Sequence, residues 1–124
     1  MTRILLIGMG GFVGANLRYL LQLWAVSHWG ASFPYGTLII NVTGSFVLGF
    51  FLTLATEQIA ASPNWRYLIA VGLLGGYTTF SSFTVETLAL AQTGRWVPAV
   101  LYLGGNVGLG LLFAYLGIAL AHAL

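Results

Sequence analysis

Four long apolar runs, each closed by a short polar or turn-forming segment, account for most of the chain: Ile4–Val26, Leu38–Ala60, Tyr67–Ala91 and Val97–Ala121, together 96 of 124 residues. Each has the ~20 residues an α-helix needs to cross the hydrocarbon core of a bilayer. The turn signals fall between them, at Ser32-Phe33-Pro34-Tyr35-Gly36, Ser62-Pro63-Asn64 and Gln92-Thr93-Gly94-Arg95. Trp24, Trp29, Trp65 and Trp96 lie near the predicted span ends, where amphipathic rings sit at headgroup level. The pattern predicts an all-α membrane protein: one domain over residues 1–124, four transmembrane helices, and loops too short to hold a soluble domain.

Small residues recur within the runs at four-residue spacing, as Gly10-xxx-Gly14, Ser45-xxx-Gly49, Gly72-xxx-Gly76 and Gly104-xxx-Gly108. In lipid such residues let helix backbones approach, and these are expected to serve packing.

Polar residues inside the runs are costly in lipid and therefore informative. Thr37, Asn41 and Ser45 recur at i, i+4, i+8 on the second span, and Tyr102 and Asn106 do so on the fourth, with Gly110 continuing the stripe. A Thr or Ser can hydrogen-bond back to its own helix. An Asn amide needs several partners, so two Asn in two stripes favour a wet pathway or a polar helix contact.

The third span carries the strongest signal. Gly75-Gly76-Tyr77-Thr78-Thr79-Phe80-Ser81-Ser82-Phe83-Thr84 is rich in poor helix formers and flanked by apolar sequence. It predicts a helix broken mid-membrane. Exposed backbone at that depth is tolerated only against protein or a cavity, and transport proteins place ion sites at such breaks. Carbonyls there suit a cation; amides and helix N-termini suit an anion. Phe80 and Phe83 share a face, and the positive edge of an aromatic ring can meet an anion. Two charges lie inside spans, Arg18 and Glu86, each costing about 2.5–3.5 kcal/mol at a helix centre on insertion scales. They can pair, or snorkel to an interface; Glu86, four residues beyond Ser82, is also placed to line a pathway mouth. Glu57 reads as interfacial.

Composition agrees. Only 5% of residues are charged (four Arg, two Glu) against 59% hydrophobic, where soluble domains carry about 25% charge. The net charge of +2 is no nucleic-acid footprint, and the absence of Cys excludes thiolate metal sites. His28 and His122 are far apart at segment ends and read as interfacial side chains. Ile4 through Val13-Gly14 mimics a dinucleotide-binding turn, but position 13 is Val and the first acid is Glu57, so the fingerprint fails; no catalytic constellation stands out and no enzyme is expected. Arg3 before an apolar stretch also mimics a secretory signal; the segment is read as retained, because its glycines look structural. Arg3 and Arg66 fall on one side of the membrane and Arg95 on the other, with Arg18 inside the first span. That bias is too weak to fix one orientation. A chain without an orientation signal can insert both ways and pair with an inverted copy.

At these motifs the sequence resembles the Fluc (CrcB) family of small fluoride channels. The matching stretches are Gly10-Gly11-Phe12-Val13-Gly14-Ala15-Asn16-Leu17-Arg18-Tyr19, Gly36-Thr37-Leu38-Ile39-Ile40-Asn41-Val42-Thr43-Gly44-Ser45-Phe46, and Gly75 through Phe83. The third is highly specific and the first weak alone; Ser82 stands where many relatives have Thr. The resemblance implies passive fluoride export from a prokaryotic cell through the inner membrane, by an antiparallel, dual-topology homodimer with two pores. It implies that Asn41 and the ring edges of Phe80 and Phe83 help coordinate fluoride. Thr37, Ser81, Tyr102, Asn106 and Glu86 follow as secondary pathway residues, and Arg18 as a charge near the aqueous vestibule. The carbonyls of Gly75 and Thr78 are expected to hold a structural Na⁺ on the dimer axis. The rival reading is a small dual-topology, proton-coupled multidrug-type transporter, which wants a membrane-embedded carboxylate, typically in the first span; this first span has Arg18 and no acid. A purely structural membrane subunit ranks last, since it leaves the break and the stripes unused.

Overall fold

A computed structural model describes residues 1–58 and 62–124. Among the described residues the chain is all-helical, with four stretches long and apolar enough to cross a membrane: Thr2–Trp29, Tyr35–Glu57, Pro63–Gln92 and Trp96–His122. The expected spans lie within a few residues of these bounds, because backbone hydrogen bonding continues past the point where hydropathy falls. The expected end of the second span, Ala60, lies outside the described residues. We label the helices α1 (Thr2–Trp29), α2 (Tyr35–Glu57), α3 (residues 63–77), α4 (Phe80–Gln92) and α5 (Trp96–His122). Thr78 and Thr79 separate α3 from α4, and both have extended backbone, with φ/ψ of −78°/160° and −153°/117°.

The helix ends follow from local chemistry. Gly30 and Gly94 take positive φ, 76° and 77°, which ends α1 and the turn after α4 without the penalty a Cβ brings. The Gly30 amide closes the last turn of α1 on the Val26 carbonyl. Ser62 caps α3, its hydroxyl accepting from the Asn64 amide at 3.4 Å, with Pro63 in the first turn, where its missing N–H removes no helical bond.

Packing pairs α1 with α3, the body of α2 with the C-terminal half of α5, and α4 with the N-terminal half of α5. The first two contacts run on glycine. A Cβ at Gly10 would strike the Leu68 carbonyl, one at Gly14 would meet the Tyr77 amide at 2.9 Å, and one at Gly76 would meet the Gly11 carbonyl at 2.9 Å. On the other seam, a Cβ at Gly49 would come within 2.6 Å of the Ala114 carbonyl, and one at Gly117 would strike that of Phe46. These backbones touch, which is how helices gain dispersion energy where lipid removes the hydrophobic drive. Gly104 and Gly108 make no such contact within the chain: among the described residues nothing lies within 4 Å of a Cβ at either. They face outward, as do large apolar side chains all round the bundle, including Leu5, Phe12, Leu20, Val85, Leu101 and Leu111. The greasy residues are outside and many of the polar ones inside, the arrangement lipid demands.

Two ends can be told apart. At one, Trp24, His28, Trp29, Phe33 and Tyr35 form a run of ring contacts, and the Arg95 guanidinium donates to the Ser32 carbonyl, tying the α4–α5 turn to the α1–α2 turn. At the other, His122 Nε2 lies 2.7 Å from Glu57 Oε2, both half-exposed, and the Arg3 guanidinium lies over the Tyr67 ring at 5.2 Å. The histidines stay apart, and among the described residues no group of acids and histidines is arranged to hold a metal ion.

Candidate ion pathway

The polar side chains of the helix interior meet one another. At the aromatic end a vestibule of about 510 Å³ opens between the loops. Gln22, Thr37, Glu86 and Arg95 supply most of the polar chemistry on its walls. Thr37 is buried; its hydroxyl donates to Glu86 Oε1 at 3.1 Å and accepts from Gln22 Nε2 at 3.4 Å. The Tyr102 hydroxyl donates to Glu86 Oε2 at 2.5 Å. The carboxylate is therefore held from two sides, and four helices contribute to its surroundings.

The line continues inward along α5. Asn106 Nδ2 donates to the Tyr102 carbonyl at 3.0 Å, and its Oδ1 accepts from Asn41 Nδ2 at 2.9 Å. Asn41 Nδ2 also donates to the Thr79 carbonyl at 3.0 Å, while Asn41 Oδ1 accepts from the Thr79 amide at 2.9 Å. Thr79 is the cap of α4: its Oγ1 accepts from the Ser82 amide at 3.2 Å and donates to Ser82 Oγ at 3.1 Å. Beyond lies a groove of about 270 Å³ lined by Asn41, Ser45, Thr79, Phe80, Phe83 and Asn106, among others. Phe80 and Phe83 meet edge to face with ring centroids 5.5 Å apart. Their settings differ: Phe83 is 5% exposed and packs on Tyr102, while Phe80 is 76% exposed. Among the described residues no buried side-chain nitrogen or oxygen lacks a partner, which is how a polar interior avoids the penalty for unmade hydrogen bonds.

The interruption at Thr78–Thr79 frees backbone groups in a defined way. In an unbroken helix the Thr79 amide would reach the Gly75 carbonyl, and the Ser82 amide would reach the Thr78 carbonyl. Here those amides bind Asn41 Oδ1 and Thr79 Oγ1 instead. The Thr78 carbonyl takes a long 3.4 Å contact from Arg18 Nη1.

The sequence-predicted residues thus divide. Thr37, Asn41, Tyr102, Asn106 and Glu86 join one network, and Phe80 and Phe83 line the groove it leads to. Ser81 is exposed, its hydroxyl 3.4 Å from Thr79 Oγ1. Arg18 Nη1 contacts the Thr78 carbonyl at 3.4 Å and does not line the cavity between the loops. It makes no pair with Glu86, whose partners are hydroxyls. Three contributors escaped sequence reasoning. Gln22 lies four residues past Arg18 on one helix face, a signal that was present. Thr79 stands three residues before Ser82, the spacing of a helix cap. Arg95 looked like an ordinary loop charge and gave no sign of reaching the first loop.

A bundle of apolar helices whose interior polar groups form one line from a vestibule to a groove is a polytopic membrane protein with a polar path. Residues 5–118 match the family described as CrcB-like protein, Camphor Resistance (CrcB), and the chain belongs to that family. Relatives named Fluoride-specific ion channel FluC include one from Roseiflexus sp. (strain RS-1), 52% identical over 98% of both chains. Another, from Sulfurihydrogenibium sp. (strain YO3AOP1), is 47% identical over the whole of both. A third, from Rhizobium meliloti (strain 1021), is 44% identical over all of this chain and 99% of its own.

Proposed function

We propose that the protein is a fluoride-selective channel, and not an enzyme, releasing cytoplasmic fluoride passively down its electrochemical gradient and so protecting the cell from fluoride toxicity. The observation that carries this reading is the end-to-end similarity to relatives named as fluoride-specific channels, at 52% identity over 98% of both chains for one of them. The chemistry of the polar line supports it. Fluoride is small and strongly hydrated, so a pore must replace water with good donors while binding loosely enough, or at enough sites, to let the ion leave. Hydroxyls and amides do this without the deep trap of a buried cation. Along the line these are Thr37, Tyr102, Asn106 and Asn41, with the positive ring edges of Phe80 and Phe83 at the groove and Ser81 beside Thr79. Both N–H bonds of Asn41 are already engaged, by Thr79 and Asn106, so fluoride reaches Asn41 by displacing Asn106 Oδ1.

The working unit in this proposal is an antiparallel, dual-topology homodimer in the inner membrane, with two pores and the Thr78–Thr79 interruption at mid-membrane depth. The weak Arg bias supports dual insertion, and the bare face of Phe80 supports a second copy beside it. A structural Na⁺ on the dimer axis is part of the same proposal. The residues present fit it: the Gly75 and Thr78 carbonyls lose their helical donors to Asn41 and Thr79, and carbonyl oxygen is the hard ligand an alkali cation takes. One chain offers too few such oxygens, so a symmetry-related copy must complete the shell, and the Arg18 contact with Thr78 must open.

The transporter reading has no specific support, since the one acid deep in the bundle, Glu86, is held by Thr37 and Tyr102. The test is fluoride efflux from liposomes holding purified protein, read with a fluoride electrode beside a chloride trial. Rapid release of fluoride on adding a K⁺ ionophore, with chloride retained, is the expected result. Silence from protein that is folded and dimeric would refute the channel.

A further inference from the structure

Thr37 behaves unlike its neighbours on α2. Thr43, Thr53 and Thr56 each return the hydroxyl proton to a carbonyl four residues earlier, the usual fate of a Thr in an apolar helix. Thr37 sends its proton across the bundle to Glu86. The helix begins only two residues before it, and the carbonyl four residues back, on Phe33, accepts from the Tyr35 amide. Gln22 supplies the other half of the arrangement, its amide donating to a lone pair of Thr37 Oγ1 at 3.4 Å. A hydroxyl that accepts from an amide has its one proton left for a carboxylate, which only accepts.

Room for this contact is made by Gly36. A Cβ there would come within 3.1 Å of Gln22 Cα and 3.3 Å of its Cγ. The close approach of α1 to the start of α2, and the bond it permits, are thus two separate features serving one side chain.

We infer that Gln22 is a positioning residue for the pathway: it fixes the direction of the Thr37 hydroxyl and thereby keeps Glu86 drawn onto Thr37 and Tyr102 at the inner end of the vestibule. The inference rests on the channel reading. Without Gln22 no amide holds the second side of Thr37 Oγ1, the hydroxyl is free to rotate off Glu86, one side of the carboxylate is released, and a mobile negative charge faces the incoming anion.

The experiment compares fluoride efflux from liposomes containing the wild type, Gln22→Met, Thr37→Val and the double variant, each checked for monodisperse elution. Gln22→Met keeps length and removes the donor; it should slow efflux about fivefold, the factor one neutral hydrogen bond commands. The double variant should be no slower than Thr37→Val alone, because Gln22 acts through that hydroxyl. Effects that multiply would mean Gln22 serves packing and would overturn the inference, as would Gln22→Met conducting at the wild-type rate. A silent wild type would instead sink the channel reading itself. If Gln22→Met does not fold, Gln22→Glu answers the question: its carboxylate pulls the Thr37 proton off Glu86, so efflux must fall, and an unchanged rate refutes the role.

Discussion

Asn41 and Thr79 exchange hydrogen bonds in both directions, the Asn41 amide donating to the Thr79 carbonyl at 3.0 Å and its oxygen accepting from the Thr79 amide at 2.9 Å. A side chain from α2 thus binds both backbone groups of Thr79, the residue at the junction of α3 and α4. Helices can be interrupted inside an apolar bundle only where something else satisfies the freed groups, and Asn41 does so while offering its remaining N–H to Asn106.

This double role predicts that substitutions at Asn41 disturb conduction and structure together. Asn41→Asp keeps an acceptor for the Thr79 amide but removes both donors and adds a charge that repels an anion. It should pass no fluoride, and a charge worth about 2.5–3.5 kcal/mol at a helix centre, set against the acceptors on Thr79 and Asn106, should also lower its melting temperature. Asn41→Ala strips the partner from a buried amide, which costs about 1–3 kcal/mol, so it should lose both conduction and thermal stability. Thermal unfolding in detergent, run beside the efflux assay, reads the two quantities separately. An Asp variant that conducts normally would remove Asn41 from the ion path.

How much of this was legible in the sequence depends on the range of the interaction. The four spans were, because lipid forces a hydrophobic run of set length on every helix. The stripes Thr37–Asn41–Ser45 and Tyr102–Asn106 were too, since a period of four on one helix is local. Which stripes meet is a matter of helix packing, and no local pattern told that Glu86 would sit between Thr37 and Tyr102. Arg18 shows the limit most clearly: its charge left pairing, snorkelling and a pathway role all open, and its contact with the Thr78 carbonyl depends on how α1 rotates against α3. Gly104 and Gly14 look alike in sequence, and only the presence or absence of a neighbouring backbone distinguishes them.

That last contrast predicts opposite responses to one added methyl group. Gly14→Ala places a Cβ on the backbone at the end of α3, at Leu73 and Tyr77. Backbone cannot step aside as a side chain can, so α1 and α3 must separate, and the misfit should cost on the order of 1–3 kcal/mol, the usual range for overpacking. Gly104→Ala meets nothing within the chain and gains up to about 1 kcal/mol of helix propensity. Yield of monodisperse protein and apparent melting temperature should fall for the first and hold or rise for the second. Equal loss in both would show that the Gly104 face is covered by another chain.

Among the described residues Arg95 is the only cation on the vestibule wall, and its contact with the Ser32 carbonyl keeps it beside the opening. A single charge at the mouth of a low-dielectric cavity raises the local concentration of anions, and salt screens the effect. Arg95→Gln keeps a hydrogen-bond donor for Ser32 but removes the charge. Fluoride efflux should drop about two- to fivefold at ~10 mM salt and converge on the wild type above ~0.5 M, where the Debye length is only a few Å. A deficit that ignores ionic strength would mean that Arg95 serves only to tie the two loops.

The proposed Na⁺ and Arg18 compete for the Thr78 carbonyl, and this gives a prediction of unusual sign. Arg18 Nη1 stands 3.4 Å from that oxygen, and two unit positive charges about 4 Å apart repel by about 1 kcal/mol in water and about 4 kcal/mol at a protein surface. Replacing Na⁺ by a bulky organic cation should therefore abolish fluoride efflux in the wild type, through loss of the ion rather than unfolding. Arg18→Gln lifts the repulsion, so it should need less Na⁺ for half-maximal efflux, by about fivefold or more. Titrating Na⁺ into protein purified without it, with efflux and dimer content measured together, follows both effects. An Arg18→Gln variant needing more Na⁺ would mean that the guanidinium supports the carbonyl shell instead of opposing the cation. Efflux indifferent to Na⁺ in both proteins would remove the ion from the proposal while leaving the fluoride path intact.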